Sequence, residues 1–274
     1  MSKFADLHLH TNYSDSSLSP EEVVNQAKAA GIECIAITDH DTVEAVPLAV
    51  EAGKKCGVEI IPGIELSSEI NGREVHILGY MFDYQNPKVL DLFNMMQNER
   101  MERMKKMVGK LKELGINNIE FEEVCALTKT NAVGRAHLAR LLLQKKWVSY
   151  IGEAFDKYLS EGKPVYFPKY KMTPYEAIDL VRKANGVAVL AHPAVTRVDE
   201  LIPSFAEAGL KGIEIFYPMV SKTGMDYYNG LAKKYNLIAT GGSDTHGVIK
   251  PDIYIGLIKL PYENVEQLKA AVGR

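Results

Sequence analysis

The stretch Phe4-Ala5-Asp6-Leu7-His8-Leu9-His10 is a short apolar strand that ends in two imidazoles. Side chains on a strand repeat every second residue, so His8 and His10 face the same side, a spacing that suits two ligands to one metal ion. A helix start follows at Ser19-Pro20-Glu21-Glu22. Ser19 is its N-cap, Pro20 its first helical residue, and Glu22 closes a capping box. Gly31 ends that helix.

The same strand-to-helix unit recurs. Cys34 to Thr38 is apolar and runs into Asp39-His40-Asp41. A helix from Val43 to Lys55 is expected next, with Asp41 or Thr42 as its cap. Glu59 to Ile61 is a strand, and Asn71-Gly72 predicts a two-residue hairpin turn. That turn sets Ile70 opposite Arg73 and Ser67 opposite His76, so Glu65 and His76 share a face as diagonal neighbours about 7–8 Å apart. Glu65 stands in Pro62-Gly63-Ile64-Glu65-Leu66, an apolar setting where a lone carboxylate is costly unless paired or on a metal. After Thr173-Pro174 come Val187 to Ala191 before His192-Pro193, then Gly212 to Tyr217, then Leu237 to Gly241 before Gly242-Ser243-Asp244-Thr245-His246. A strand at Ile253 to Leu257 and a helix after Pro261 complete the expectation.

Strands alternating with helices imply a mainly parallel sheet, open or closed into a barrel, with function at the C-terminal strand ends. Of the seven histidines, His8, His10, His40, His76, His192 and His246 fall at such ends or on the hairpin, and His137 does not. Asp15, Glu65 and Asp244 bring the candidate metal ligands to nine. One ion takes about four to six donors, so nine imply two or three divalent ions.

Residues 87–171 differ in character. Helical patterns run from Asn86-Pro87 to Gly115, then near Glu120–Leu127, Gly134–Lys145 and Ile151–Leu159. Between Lys129 and Lys171 nine Lys or Arg face three Asp or Glu, a local excess of six positive charges in a chain whose net charge is -3. Lys145 and Lys146 read as a solvated helix face. Arg135 and His137 follow Gly134 at a helix N-terminus, where anions are favoured and Arg binds phosphate in a bidentate manner, so both are candidate phosphate contacts. Lys163, Tyr166 and Lys169 are further substrate-binding candidates. Tyr217 is a candidate for stacking on a base, whereas Phe216 reads as core. The methionine stripe Met95, Met96, Met101, Met104 and Met107 reads as helix packing.

A hydrophobic content of 46% supports a sizeable core, and the net charge argues against a general nucleic-acid coat. No apolar run approaches the roughly 20 residues of a membrane helix, and the first residues lead straight into the His8 strand, without a signal peptide. Cys34, Cys56 and Cys125 fit neither a disulfide framework nor a zinc motif, and are expected to be buried thiols of a cytoplasmic protein. No obligate protein partner is evident.

Taken together, Asp6-Leu7-His8-Leu9-His10, Thr38-Asp39-His40-Asp41, Gly63-Ile64-Glu65, Glu74-Val75-His76, Ala191-His192-Pro193 and Ser243-Asp244-Thr245-His246 resemble, in order, the motifs of the PHP (polymerase and histidinol phosphatase) family. The resemblance implies an α/β fold, a distorted (β/α)7 TIM-like barrel formed by residues 1–86 and 172–274, with 87–171 inserted as a helical substrate lid. It further implies a trinuclear site. His8, His10, Glu65 and Asp244 would hold one ion; Glu65, His76 and His192 a second; Asp15, His40 and His246 a third. Some members carry His where this chain has Asp15, which makes that third site richer in oxygen. Gly134-Arg135-Ala136-His137 is similar to an insertion of the TrpH-like branch, which implies a metal-dependent phosphoesterase using Mn, Zn, Fe or Mg. Its substrate would be a phosphorylated small molecule: the 3′-phosphate of 3′,5′-bisphosphonucleotides, the 5′ ends of short RNA, or both. Attack would come from a metal-bridging hydroxide, with Glu65, His192, Asp244 and His246 as catalytic residues and His246 or Asp41 assisting the leaving oxygen. The alternatives are a histidinol-phosphate-type phosphatase, an amidohydrolase-like C–N hydrolase, and a non-catalytic metal-stabilised module.

Overall fold

Short apolar stretches, most of them followed by a helix, become the strands of one sheet. The computed structural model describes residues 3–168 and 172–272. It begins with β1 (Phe4–Leu9), α1 (Pro20–Ala29), β2 (Cys34–Ile37), α2 (Val46–Cys56), β3 (Glu59–Ile70) and β4 (Arg73–Tyr80). A helical stretch follows: α3 (Pro87–Glu113), α4 (Phe121–Cys125), α5 (Arg135–Gln144) and α6 (Ile151–Ala154), the last running into a π-helical turn at Phe155–Leu159. The alternation then resumes with α7 (Pro174–Lys183), β5 (Val187–Leu190), α8 (Pro193–Thr196), α9 (Ile202–Glu207), β6 (Gly212–Phe216), α10 (Lys222–Lys234), β7 (Ile238–Gly241), β8 (Leu260–Pro261) and α11 (Tyr262–Ala271). The Ser19 and Thr173 caps form as the sequence predicts, each with its capping box.

The sheet order is β7-β6-β5-β4-β3-β2-β1-β8. β1 to β3 are parallel, β5 to β7 are parallel, and β4 runs against both neighbours. The hairpin therefore reverses β4 within the sheet, and the short β8 is antiparallel to β1 at the edge. Its register is the one Asn71-Gly72 dictates, with Ile70 opposite Arg73 and Ser67 opposite His76. The far edge returns to β1: Leu9 bridges Thr245, and the Asp244 N–H donates to the His8 carbonyl at 2.8 Å. These bonds almost close the barrel. β2 and β5 are buried along their whole length, as strands covered on both faces are.

Three apolar cores result among the described residues. The largest joins strands to the helices around them and takes Phe93 and Met96 from the first half of α3. A second gathers Leu7, Ala36, Leu78 and Val189 from the strands with Val265 and Leu268 from α11. The third lies within residues 104–165 and includes Met104, Met107, Leu138 and Leu142. In the methionine stripe Met96, Met104 and Met107 are buried as expected, while Met95 is exposed.

Three expectations are corrected. No strand forms at 253–257, because Thr245 already pairs with the end of β1 and its hydroxyl donates to the Ile253 carbonyl; the short β8 pairs instead with the beginning of β1. α2 begins at Val46 rather than Val43 and has no side-chain cap. Asp41 lies in the left-handed region at φ 53° and spends its carboxylate elsewhere, on the Ser67 N–H and Arg100. Of the cysteines, only Cys34 is buried; Cys56 and Cys125 are half-buried, and all three are free thiols.

Gly242 marks where the barrel closes. A Cβ there would lie 2.3 Å from the His8 nitrogen and 2.4 Å from the His8 Cβ. Gly242→Ala is therefore expected to destabilise the fold by about 1–3 kcal/mol, the usual cost of overpacking. Denaturant unfolding tests this, and an unchanged midpoint would contradict so close an approach.

Candidate metal centre

Each predicted ligand stands at the mouth of the barrel. His8 on β1 and His10 just beyond its end are fully buried. Glu65 lies on β3 and His76 across the hairpin on β4, while His40, His192, Asp244 and His246 follow β2, β5 and β7. Asp15 comes from the loop after β1.

Glu65 is the hub. Its Oε2 lies 3.3 Å from His8 Nε2, 3.2 Å from His10 Nε2 and 3.2 Å from His40 Nδ1. Its Oε1 lies 2.7 Å from His76 Nδ1 and 3.0 Å from His192 Nε2. Five imidazoles thus converge on one carboxylate. Asp244 Oδ1 approaches His10 Nε2 at 3.2 Å and His8 Nε2 at 3.6 Å. Asp15 stands 3.2 Å from His246 Nε2 and 3.7 Å from a nitrogen of both His10 and His40.

Burial alone would push the Glu65 carboxyl up, but His40, His76 and His8 hold it well below the usual carboxylate range. Burial alone would lower His10 and His76; the nearby Asp244 and Glu65 carboxylates raise the former to about 10, and Glu65 with Glu74 raises the latter to about 9. The carboxylates thus favour the cationic forms of His8, His10 and His76, whereas burial lowers His40 to about 3.

Divalent ions fit the same place. His8 Nε2, His10 Nε2 and His40 Nδ1 are buried without a hydrogen-bond partner, and a buried nitrogen left so is costly unless something binds it. Ligand atoms within 4.8 Å of one another form three groups: His10, Asp15, His40 and His246; His8, His10 and Glu65; His40, Glu65 and His76. His10 and His40 each belong to two groups, so the clusters are contiguous. Mixed imidazole and carboxylate donors suit ions such as Zn, Fe and Mn.

Several residues around the ligands were not anticipated. Glu214 on β6 is buried; its Oε1 meets His8 Nδ1 at 3.0 Å and its Oε2 accepts the His192 N–H at 2.8 Å. It sets the His8 ring so that Nε2 faces the cluster, as carboxylates behind metal-binding histidines do. A lone acid in the apolar run Gly-Ile-Glu-Ile-Phe is the signal that could have revealed it. Asp39 accepts from the Thr11 N–H at 2.7 Å and from the Thr11 and Ser14 hydroxyls, bracing the loop that carries Asp15. Lys250 Nζ lies 2.7 Å from Asp244 Oδ2, and the Tyr217 hydroxyl donates to the same oxygen at 2.7 Å. Tyr217 is thus engaged with Asp244, whereas Phe216 packs on the cores.

The substrate candidates separate. Arg135 lines a cavity of about 340 Å³ together with Asp15, His40, His76 and His246, and its Nη2 contacts Glu74 Oε2 at 2.9 Å. Tyr166 is half-buried with the Arg135 guanidinium over its ring, and Lys163 is exposed. Lys169 lies outside the described residues. His137 is corrected: it is buried, its Nδ1 accepts the Gly134 N–H and its Nε2 donates to the Ser14 carbonyl at 2.7 Å. With both nitrogens used, it ties α5 to the Asp15 loop and offers nothing to a phosphate. Asp41 is likewise committed to Arg100 and Ser67, so it is no leaving-group acid.

The PHP domain model matches residues 6–233. A 5′-3′ exoribonuclease of Haemophilus influenzae is 36% identical over 251 residues, 90% of this chain and 91% of that protein. A 3′,5′-nucleoside bisphosphate phosphatase of Chromobacterium violaceum is 31% identical over 88% of this chain and 86% of its own length. The solved structure of a candidate metal-dependent phosphoesterase from Bifidobacterium adolescentis superposes with a TM-score of 0.89 at 29% identity, covering 98% of this chain and 96% of the other. The chain belongs to the PHP domain family. By class it is a metal-dependent hydrolase of phosphoric ester bonds. Among the described residues, no helix is long and apolar enough to cross a membrane.

Glu214→Ala leaves His8 Nδ1 without its carboxylate. Metal affinity measured by chelator competition is expected to fall about 10–100-fold, and unchanged affinity would show that Glu214 does not orient the ligand.

Proposed function

We propose that the protein removes the 3′-phosphate of 3′,5′-bisphosphonucleotides and trims short 5′-phosphorylated RNA, in the cytoplasm, with two or three divalent ions (Mn, Zn, Fe or Mg) held by the nine ligands. The observation that carries this reading is the cavity above the cluster. Asp15, His40, His76 and His246 form its floor, Arg100, Arg135 and Lys250 supply cations, and Ile151, Phe155 and Ile249 give apolar walls. A phosphate on the floor with a nucleoside against the walls matches that distribution of charge. The relatives named for RNA and for nucleoside bisphosphates support it.

Ions bound there would bring the pKa of a bound water toward ~7 and neutralise phosphoryl oxygens. The chain supplies the rest. Glu65 and Asp244 fix the cluster, His192 reaches Glu65 from the far side, and His246 faces the cavity as the candidate donor to the leaving oxygen. Arg135 meets the substrate's phosphoryl oxygens by exchanging its contact with Glu74, which is 40% exposed and so a weakly held partner. The fit of residues 87–168 over this mouth supports their role as a substrate lid.

Purified protein with added Mn²⁺ is expected to release phosphate from 3′-phosphoadenosine 5′-phosphate, leaving 5′-AMP, and to lose that activity on chelation. Turnover of histidinol phosphate alone would keep the centre and overturn the substrate. Arg135→Ala is expected to raise KM for the bisphosphate about tenfold or more with ion content unchanged; a normal KM would remove Arg135 from the substrate site.

A further inference from the structure

The loop that carries Asp15 is fastened to the helical segment. Asn12, Tyr13 and Ser14 immediately precede that ligand, and the carbonyl of each accepts a hydrogen bond from residues 128–137. The Lys129 N–H donates to Asn12 at 2.8 Å, the Thr130 hydroxyl to Tyr13 at 2.6 Å, and His137 Nε2 to Ser14 at 2.7 Å. The Thr128 hydroxyl adds longer contacts to Asn12 and Tyr13 at 3.5 and 3.4 Å. Three consecutive acceptors are thus satisfied by one short stretch of the lid, where a loop inside the barrel would have to find donors of its own.

The other ligands are placed differently. His8, Glu65 and His76 lie in paired strands, and His10, His40, His192, Asp244 and His246 follow strand ends. Ladder bonds of the barrel hold them: Glu65 stands opposite Leu78, and the Asp244 N–H donates to the His8 carbonyl. Asp15 sits in a loop. On the barrel side that loop rests on Asp39, which accepts from Thr11 and Ser14, and on the Ser17 N–H, which donates to the His246 carbonyl at 3.3 Å. An Asp side chain is short, so a shift of the Ser14 backbone passes directly to a carboxylate that stands 3.2 Å from His246 Nε2 and 3.7 Å from His40 Nε2.

Two of the lid donors have a single direction. His137 is 1% exposed, and burial lowers its pKa, so the ring is neutral. Its Nδ1 accepts the Gly134 N–H, which leaves the one proton on Nε2, facing Ser14. The Thr130 hydroxyl accepts from the Ala132 N–H at 3.0 Å, which leaves its proton for Tyr13.

We propose that Thr130 and His137 are positioning residues for Asp15, and that the ion assigned to Asp15, His40 and His246 is the lid-dependent member of the cluster, whereas the ions on Glu65 are held by the barrel. The inference rests on the ligand assignment within the functional reading above and not on the choice of substrate. The helical segment then does more than cover the mouth: it completes one ion site. By linkage, a substrate that holds the lid in place raises the affinity for that ion, and the ion raises the affinity for the substrate by the same factor.

Thr130→Val removes the hydroxyl at nearly constant volume, and Thr130→Ser restores it. Loss of the buried His137 endangers the fold itself, so the Thr130 pair decides. Metal-free full-length protein is titrated with Mn²⁺ by equilibrium dialysis, and bound ions are counted by elemental analysis. The unaltered chain is expected to bind three ions. In Thr130→Val one of them is expected to bind about tenfold or more weakly with the other two unchanged, and Thr130→Ser is expected to match the unaltered chain. Asp15→Asn should weaken the same single ion, and adding Thr130→Val to it should change nothing further. Equal weakening of all three ions, no weakening, an effect in Thr130→Ser as large as in Thr130→Val, or an unaltered chain that binds only one or two ions overturns the inference. An unaltered chain that binds no Mn²⁺ at all overturns the functional reading on which it rests.

Discussion

A carboxylate at the centre of five imidazoles organises this protein. Glu65 is 1% exposed, and its oxygens contact His8, His10, His40, His76 and His192. Those histidines come from β1, β2, β4 and β5 or the turns that end them, so the contacts hold only if the strands curl round to one mouth. An isolated ionised carboxylate at that depth would cost many kcal/mol or take up a proton. Glu65 stays ionised because cationic partners surround it. Metal ions held by these residues would take over that compensation, since metal binding displaces protons from such ligands.

A ring of buried polar residues holds the ligands in place. Glu214 joins His8 to the backbone of His192, Asp39 braces the turn that carries Asp15, and Asp6 accepts from the Ser243 and Gly256 N–H groups at 2.8 and 3.1 Å. Arg100 reaches from α3 to Asp41 and Ser67 and so attaches the helical segment to the same mouth. Removing one partner of such a buried pair typically costs several kcal/mol, because the other charge is stranded. The helices that cover the site and the strands that bear it are therefore bound by the same polar layer.

Period and turn chemistry made most of the barrel legible. His-x-His at the end of an apolar strand, Asn-Gly between two strands and Ser-Pro-Glu-Glu before a helix each have one local solution, and the tertiary structure agrees with it. The segment 253–257 read as a strand because it is apolar, but sequence does not reveal that Thr245 already occupies the edge it would need. His137 read as a phosphate contact because it follows a helix start; its burial against the Ser14 carbonyl is a contact over 123 residues that no local pattern carries. Glu214 was missed for the same reason: it acts through His8 and His192, distant in sequence, and its one local trace is an acid inside an apolar strand. Lys250 lies close to Asp244 in sequence, but the turn that brings them together has no local signature.

The central claim is that Glu65 anchors a cluster of metal ions. Elemental analysis of the purified Glu65→Ala variant beside the unaltered protein tests it most directly, with unfolding checked in parallel. The account predicts two or three ions per chain in the unaltered protein, and joint loss of at least two of them, with phosphoesterase activity, in a variant that remains folded. Full metal content and normal turnover in that variant would contradict it.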